Sequence, residues 1–296
     1  MTTLPQRSSG SQARWVLAAP LVFGLLAAIV VFTPLRGFIS PPDRPAAGPP
    51  VAAPAGRVAS VYTNAIEGRV IFQQPIDRLP EGALLMRLTE LEMEPGSRIF
   101  EHRQLGPGAH IVHQGSISVT DTTTKQTETY QPLQTYYVGM DPLHEEKNNG
   151  TTPNRVLMAE LVPQSRGFDG NQAFTDKGKH NHGEVRSGPY VQLPLANAPE
   201  GPLMLRVSEI KFGPKSKTVE HLRMGPTLFR VEQGGLTIRR EALLHMFTYG
   251  TNGYFFDAGI DPLVLENKPA SPMRVLMVEV LPTSLGDGPS TRITSN

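Results

Sequence analysis

Two segments of the chain each carry a histidine that is followed two residues later by a long polar side chain. His102 precedes Gln104, and His221 precedes Arg223. If these segments are strands, each pair points to one face, because alternate residues of a strand share a face. An imidazole beside an amide suits a polar pocket, whereas a guanidinium offers five donors that suit a carboxylate or phosphate. Gln104, His221 and Arg223 are therefore candidate ligand contacts.

Composition excludes several other kinds of chemistry. The chain contains no cysteine, which rules out disulfides, thiolate catalysis and cysteine-based zinc sites. Its formal net charge is +1, without a tract of Lys or Arg, so electrostatics give no support for a nucleic-acid partner. The sequence also lacks the glycine-rich and serine-centred motifs of nucleotide-binding proteins and hydrolases.

The elements that must position these side chains occur twice. Glu101-His102 returns as Glu220-His221, and the run Arg155 to Met158 returns as Arg274 to Met277, at an offset of 119 residues. A repeat in constant register over this length indicates two copies of one domain of roughly 90 residues. Differences between the copies then become an internal test of function.

Short strands are predicted in both copies, because Gly and Pro, 28 of each, punctuate short apolar runs. The predicted strands of copy one are Leu84–Met93, Arg98–His102, Ala109–His113, Ser116–Thr120 and Arg155–Val162. Those of copy two are Leu203–Lys211, Thr218–Leu222, Leu228–Glu232, Leu236–Arg239 and Arg274–Leu281. Strands of this length and spacing predict a β-sandwich or barrel for each copy.

The order of turns, histidines and glycines in both copies resembles the cupin superfamily. In copy one it is EPGSRIFEHRQLGPGAHIVHQGSISV followed by YYVGMDPLHEEKNNGTTPNRVLMAELVP, and copy two repeats the scheme. The resemblance covers residues 78–166 and 197–285. It implies a jelly-roll barrel for each copy, so the chain as a whole resembles a bicupin of all-β class. We expect a pseudo-two-fold relation between the barrels.

In metal-binding cupins the same resemblance implies four ligand positions, which in copy one hold His102, Gln104, Gly108 and His144. Two imidazoles are kept, and the carboxylate position is a glycine. His110 follows Gly108 by two residues and would face the same side. His102, His110 and His144 are therefore candidate ligands of Fe, Mn, Ni or Zn in copy one, and a polar pocket without metal is the alternative.

Copy two is predicted to hold no metal. Its corresponding positions are His221, Arg223, Thr227 and either Leu263 or Val264. A guanidinium cannot ligate a cation and repels it. Arg223 should face the barrel interior and bind an anion, unless an internal carboxylate such as Glu279 or Glu209 pairs with it and makes the position structural.

The N-terminal region predicts a membrane anchor. Trp15 to Phe32 contains no charge, and the uncharged run continues to Leu35; eighteen apolar residues suffice to cross a bilayer as a helix. Arg7 and Arg14 precede the run, which places the N-terminus in the cytoplasm and the rest outside. The alternative is a cleavable signal peptide, but no suitable cleavage site follows.

The predicted layout has seven parts: a cytoplasmic N-terminus, a transmembrane helix, a Pro/Ala/Gly linker, domain one, an interdomain linker, domain two and a disordered tail. They span residues 1–14, 15–35, 36–56, 57–166, 167–196, 197–285 and 286–296. The protein would then be a single-pass inner-membrane protein with its two barrels in the periplasm. Our functional hypothesis is a non-catalytic small-molecule-binding or scaffold protein. The alternative is a metal-dependent oxygenase, isomerase or lyase of a small polar substrate, which uses domain one.

Overall fold

The computed structural model describes four stretches of the chain: 65–166, 181–195, 198–240 and 244–294. These residues form β-strands with two short 3-10 turns, so the predicted all-β class is confirmed. The predicted anchor, residues 15–35, lies outside the described residues, as do the flanking segments 1–14 and 36–56. Within the described stretches no helix is long and apolar enough to cross a membrane.

The first half of the chain contributes nine strands. Strands β1 to β9 are Ile66–Pro75, Leu84–Met93, Arg98–His102, Gly108–Gln114, Ile117–Asp121, Thr127–Tyr130, Thr135–Val138, His144–Lys147 and Asn154–Pro163. Strands β10 to β20 are Asn181–His182, Val185–Pro194, Leu203–Phe212, His221–Arg223, Thr227–Gln233, Gly235–Arg240, His245–Gly250, Tyr254–Asp257, Val264–Glu266, Met273–Pro282 and Thr291–Ile293.

The strands build two barrels, each from sheets that face one another. Barrel one combines the sheets β11-β2-β9-β4-β7 and β10-β3-β8-β5-β6. Barrel two combines the sheets β1-β12-β19-β14-β17, β16-β15-β18 and β13-β20. Alternation along the strands produces this arrangement, since every second side chain turns into the barrel and the others turn outward.

The first strand of each repeat belongs to the other repeat's barrel. Strand β1 of the first repeat pairs with β12, whereas β11 of the second repeat pairs with β2. These two strands are themselves separated by the repeat offset of 119 residues. The exchange is reciprocal, as a pseudo-two-fold relation requires. Each barrel is therefore completed by a strand of the other repeat.

This exchange corrects the predicted interdomain linker of residues 167–196. Val185–Pro194 in that segment is a ten-residue strand. Its sequence, VRSGPYVQLP, contains a glycine and two prolines, which sequence patterns assign to a loop. Proline is tolerated on an edge strand, and β11 lies at the edge of its sheet.

The two barrels share a hydrophobic core. Outward-facing side chains such as Met86 and Leu88 in barrel one pack in the same cluster as Leu205 and Val207 in barrel two. Fully burying one such side chain contributes about 1.5–3 kcal/mol. The inward faces of the strands form a separate interior in each barrel, and these interiors differ in chemistry.

The end of the chain folds across barrel two and corrects the predicted disordered tail of residues 286–296. Strand β20 pairs with β13, and the amide of Met224 donates to the carbonyl of Ser290 at 2.9 Å. The Arg206 side chain donates to the carbonyls of Gly286 and Gly288. The tail contains no hydrophobic periodicity, so these tertiary contacts and not local sequence determine its structure.

Candidate functional site

The interior of barrel one contains a cluster of polar side chains. Strand pairing places His102 opposite His144, and His110 opposite Tyr136. Glu146 follows His144 by two residues on β8 and therefore points to the same face. The side chains of His110 and Glu146 are fully buried, and His144 is 3% exposed. The structure thus brings the three sequence-predicted histidines together and adds two residues, Tyr136 and Glu146.

Two of the histidines are held in a defined tautomer. The Nδ1 atoms of His102 and His144 lie 2.9 Å and 3.3 Å from the carbonyl oxygens two residues before them. A carbonyl accepts but does not donate, so both Nδ1 atoms carry the proton and both Nε2 atoms keep a lone pair. The two rings are 4.3 Å apart. Gln104 Nε2 lies 3.5 Å from Nε2 of His102, and Nε2 of His144 has no hydrogen-bond partner among the described residues.

Glu146 is the buried anion of the cluster. Its carboxylate accepts a hydrogen bond from the Tyr136 hydroxyl at 2.9 Å, while His110 Nδ1 lies 3.9 Å from the same oxygen, too far for a hydrogen bond. Burial raises the pKa of Glu146, but the nearby His110, His102 and His144 outweigh burial and lower it to about 2. Burial lowers the pKa of His144 to about 4. At neutral pH the cluster therefore contains an ionised Glu146 and an uncharged His144.

A second carboxylate fills the space beside Gly108, the position at which the cupin resemblance implies a carboxylate ligand. A Cβ atom at Gly108 would lie 2.9 Å from Glu160 Cγ and 3.2 Å from His110 Nε2. Glu160 is fully buried and forms an ion pair with Arg87 at 3.0 Å. Glu160 and His110 thus occupy the volume that a longer side chain at position 108 would need.

The residues present do not complete a metal site. His102 and His144 offer two imidazole lone pairs, which is the donor type that suits Fe, Mn, Ni or Zn. Within the described stretches, however, no group of three or more His, Asp or Glu side chains is arranged to hold a metal ion. The third predicted ligand, His110, lies beside Glu146 and Tyr136. Glu146, in turn, is hydrogen-bonded to Tyr136.

A cleft of about 530 Å³ adjoins the cluster at His144. It is lined by Asp77, Arg78, Val119, Asp121, Thr124, Gln126, Glu128, Tyr130, Tyr137, Val138, Gly139, Met140, Asp141, Pro142 and His144. A volume of this size accommodates a small organic molecule. His144 belongs both to the buried cluster and to the cleft wall, so it connects the barrel interior with the space that a ligand can enter.

The same interior positions in barrel two are mostly apolar. Strand register places Phe229 opposite Phe255 and His221 opposite Leu263, where barrel one has His110 opposite Tyr136 and His102 opposite His144. Leu265 stands where barrel one has Glu146.

Arg223 points into barrel two and has an internal partner. Its Nη1 lies 3.3 Å from Glu279 Oε1, both side chains are fully buried, and the guanidinium stacks over the Phe229 ring at 5.0 Å. Burial, and then the charge of Arg223, lower the pKa of His221 to about 3. The internal carboxylate named as the alternative therefore pairs with one nitrogen of Arg223, whereas Nε and Nη2 of Arg223 are buried without a hydrogen-bond partner in the described part of the chain.

Sequence reasoning missed Tyr136, Glu146 and Glu160 as members of the cluster in barrel one. Glu146 carried a usable signal, because it follows His144 by two residues and would share its face on a strand. Glu160 recurs at the repeat offset as Glu279, but this pattern does not identify the partner of either carboxylate. Tyr136 carried no signal, since its contact with His110 depends on the pairing of β4 with β7.

Comparison with known proteins gave matches among solved structures at low sequence identity. No protein-family model matches the chain, and no curated protein matches it either. Solved structures that match include AerE from Microcystis aeruginosa, at 11% identity over 72% of this chain and 98% of that chain, with a TM-score of 0.47. Oxalate decarboxylase from Bacillus subtilis matches at 10% identity over 72% and 75%, with a TM-score of 0.47.

Salicylate 1,2-dioxygenase from Pseudoaminobacter salicylatoxidans matches at 11% identity over 65% of this chain and 70% of that chain, with a TM-score of 0.43. The TM-scores of these matches lie below 0.5, so the resemblance of the chain to the cupin superfamily and to bicupins stays a prediction from its sequence motifs. At such low identity the activities in these names are not assigned to this chain.

Proposed function

We propose that barrel one binds a small polar molecule and that barrel two is its structural support. One observation carries this proposal: the buried polar cluster and the adjoining cleft of about 530 Å³ occur in barrel one, whereas the matching positions of barrel two are apolar. Burying polar groups costs free energy unless they are bonded. Barrel two demonstrates that the fold is compatible with apolar residues there.

The residues of the cluster have separable tasks in such a site. Backbone carbonyls orient His102 and His144, and the Nε2 lone pair of His144 is left to accept a hydrogen bond from a ligand. Tyr136 holds Glu146 in place, and Arg87 neutralises Glu160. Because these partners fix one another before any ligand arrives, little side-chain entropy is lost on binding.

A thermal-shift screen of the full-length protein in detergent tests this proposal. The panel consists of small amines, carboxylates, polyols and sugars. We expect at least one class to raise Tm of the wild type and of His221→Leu, but not of His144→Leu, which introduces the residue found in barrel two. The proposal fails if no compound stabilises the protein, or if His144→Leu retains the full shift.

A metal-dependent enzyme that uses domain one is the second candidate. The observation in its favour is the pair of adjacent imidazoles, His102 and His144, whose ring centroids lie 4.3 Å apart and whose Nδ1 atoms are both hydrogen-bonded to backbone carbonyls. Metal analysis of the purified full-length protein distinguishes the two functions. A content of Fe, Mn, Ni or Zn near one ion per chain that is lost in His102→Ala would support the metal-dependent enzyme and contradict a function limited to binding.

We further propose that residues 15–35 anchor the protein in the inner membrane with both barrels in the periplasm. The support is the uncharged apolar run from Trp15 to Leu35 and the arginines that precede it. A reporter fused after Asn296 should be active outside the cytoplasm and inactive inside it. If carbonate extraction releases the protein from membranes, the anchor is wrong and a scaffold function at the membrane fails with it.

A further inference from the structure

The cleft beside His144 has an unbalanced charge. Four carboxylates line it, those of Asp77, Asp121, Glu128 and Asp141, together with one guanidinium, Arg78. That guanidinium already donates to Asp141 at 3.3 Å. Ionised carboxylates accept hydrogen bonds and cannot donate them. The wall therefore offers acceptors and negative charge to whatever enters.

The deepest polar side chain of the cleft is also an acceptor. His144 is 3% exposed, and its Nε2 atom lacks a hydrogen-bond partner in the described part of the chain. Because Nδ1 carries the proton, Nε2 presents a lone pair. An acceptor of this kind, buried without a partner, calls for a donor from water or a ligand.

Asp121 stands directly opposite His144 in the pairing of β5 with β8. The backbone amides of Thr123 and Thr124 donate to its Oδ1 at 2.8 Å each. These two hydrogen bonds lower the pKa of Asp121 and keep the carboxylate ionised at neutral pH. A fixed anion thus lies next to the unpartnered imidazole.

An aromatic ring with a nearby carboxylate completes the wall. The Tyr130 hydroxyl donates to Glu128, and the Tyr130 ring stacks on Tyr136 at 4.6 Å. Aromatic faces attract cations, especially where carboxylates add to the field. The Tyr136 ring, in turn, contacts His110 edge-on, which ties the cleft wall to the buried cluster.

We propose that the cleft of barrel one binds an organic cation, a small molecule whose ammonium group lies between His144 Nε2 and the Asp121 carboxylate. Tyr130 and Glu128 flank the remainder of the molecule. This inference rests on the proposed function of barrel one and specifies its ligand class. A dicarboxylate of the same size would face four like charges and would leave the lone pair of His144 without a donor.

Calorimetric titration with three four-carbon probes tests the ligand class: 1,4-diaminobutane, 1,4-butanediol and succinate. The full-length protein is used in detergent with EDTA, so that a bridging metal cannot mediate binding. We expect the diamine to bind, the diol to bind more weakly and succinate not to bind. Raising the salt concentration should weaken binding of the diamine, because exposed carboxylates are screened.

Asp121→Asn is the matched variant. Asparagine keeps an oxygen that can accept from the amides of Thr123 and Thr124, so the turn is retained while the charge is lost. We expect about a tenfold weaker affinity for the diamine, the effect of losing one charge-assisted contact. Glu101→Gln, which removes an exposed carboxylate outside the cleft, should leave the affinity unchanged.

Two results overturn the cation class. One is a failure of the diamine to bind, and the other is binding of succinate as tight as that of the diamine. Binding of succinate, or of the diol more tightly than the diamine, that disappears in His144→Leu would retain barrel one as the binding site and reject its preference for cations. Equal loss of affinity in Asp121→Asn and Glu101→Gln would show that the diamine responds to the net charge of the protein and not to a site at Asp121, and would also contradict the proposal.

Discussion

Barrel one and barrel two have the same strand plan but opposite interiors. Strand register matches His110 with Phe229, Tyr136 with Phe255, His144 with Leu263 and Glu146 with Leu265. Four polar or ionisable side chains thus have apolar counterparts. Since both barrels close around a packed core, the fold does not require the polar set. We attribute that set to the ligand of barrel one.

Two buried glutamates occupy equivalent positions in the two barrels. Glu160 and Glu279 are equivalent and fully buried, but they bind different guanidiniums. Arg87 on β2 pairs with Glu160, whereas Arg223 on β13 pairs with Glu279. Arg206, the counterpart of Arg87, binds tail carbonyls instead. A buried carboxylate needs a positive partner, so we attribute the two shared glutamates to structure and the four polar-to-apolar replacements to a difference in function.

The reciprocal exchange of β1 and β11 predicts the largest effect, which is on folding. A chain of residues 57–166 lacks β11, which pairs along the whole of β2, and exposes the core that it shares with barrel two. We expect this fragment to remain unfolded by circular dichroism and to gain structure when a second polypeptide supplies residues 181–296. Cooperative folding of residues 57–166 alone would show that barrel one is independent of the second repeat.

Breaking the ion pair between Arg223 and Glu279 should have the next largest effect, which is on the free energy of unfolding. Arg223→Met leaves Glu279 buried without its partner, which costs about 3–5 kcal/mol of unfolding free energy. Adding Glu279→Gln should restore most of that loss, because no charge is then left unpaired. Urea denaturation measures both variants. Equal instability of the single and double variants would contradict a structural pairing.

Acidification should weaken both barrels. The folded-state pKa of His144 is lowered to about 4 and that of His221 to about 3, below the value of about 6.5 in an unfolded chain. The unfolded state therefore gains protons first, so stability is full above pH 6.5 and falls as the pH drops toward 4. We expect a loss of about 2.5 kcal/mol per histidine between pH 7 and pH 4.5.

Single replacements separate the two contributions to this pH dependence. His144→Leu and His221→Leu should each remove about half of the slope, measured as urea unfolding free energy against pH. His245→Gln changes an exposed histidine and serves as the control. Measurements stay above pH 4.5 because Glu146, whose pKa is lowered to about 2, loses its contribution at more acidic pH. A slope that is the same in all variants would contradict burial as its cause.

Much of the strand plan was predictable from the sequence, because the duplication and the Gly/Pro turns mark strand ends locally. The strand Arg98–His102 has its predicted bounds, and the same-face spacing of His221 and Arg223 gave the inward direction of the guanidinium. The sequence gives less information on which strands pair with one another. The exchange of β1 and β11 depends on contacts more than 90 residues apart in sequence, which periodicity does not encode.

The candidate site was predictable in part for the same reason. His102 and His144 followed from the cupin resemblance, but the groups that decide their chemistry come from other strands. Tyr136 reaches Glu146 through the barrel interior, and Glu160 reaches the space beside Gly108 from β9. The choice of Glu279 over Glu209 as the partner of Arg223 was likewise a matter of tertiary packing.

One variant tests most directly the claim that barrel one is built for a ligand at the expense of stability. It carries the residues of barrel two at the four divergent positions: His110→Phe, Tyr136→Phe, His144→Leu and Glu146→Leu. Unfolding free energy and binding of 1,4-diaminobutane are measured on the same preparation. The account predicts a gain of about 1–4 kcal/mol, as when buried polar groups give way to apolar ones, together with complete loss of binding. A destabilised variant, or one that still binds the diamine, would contradict it.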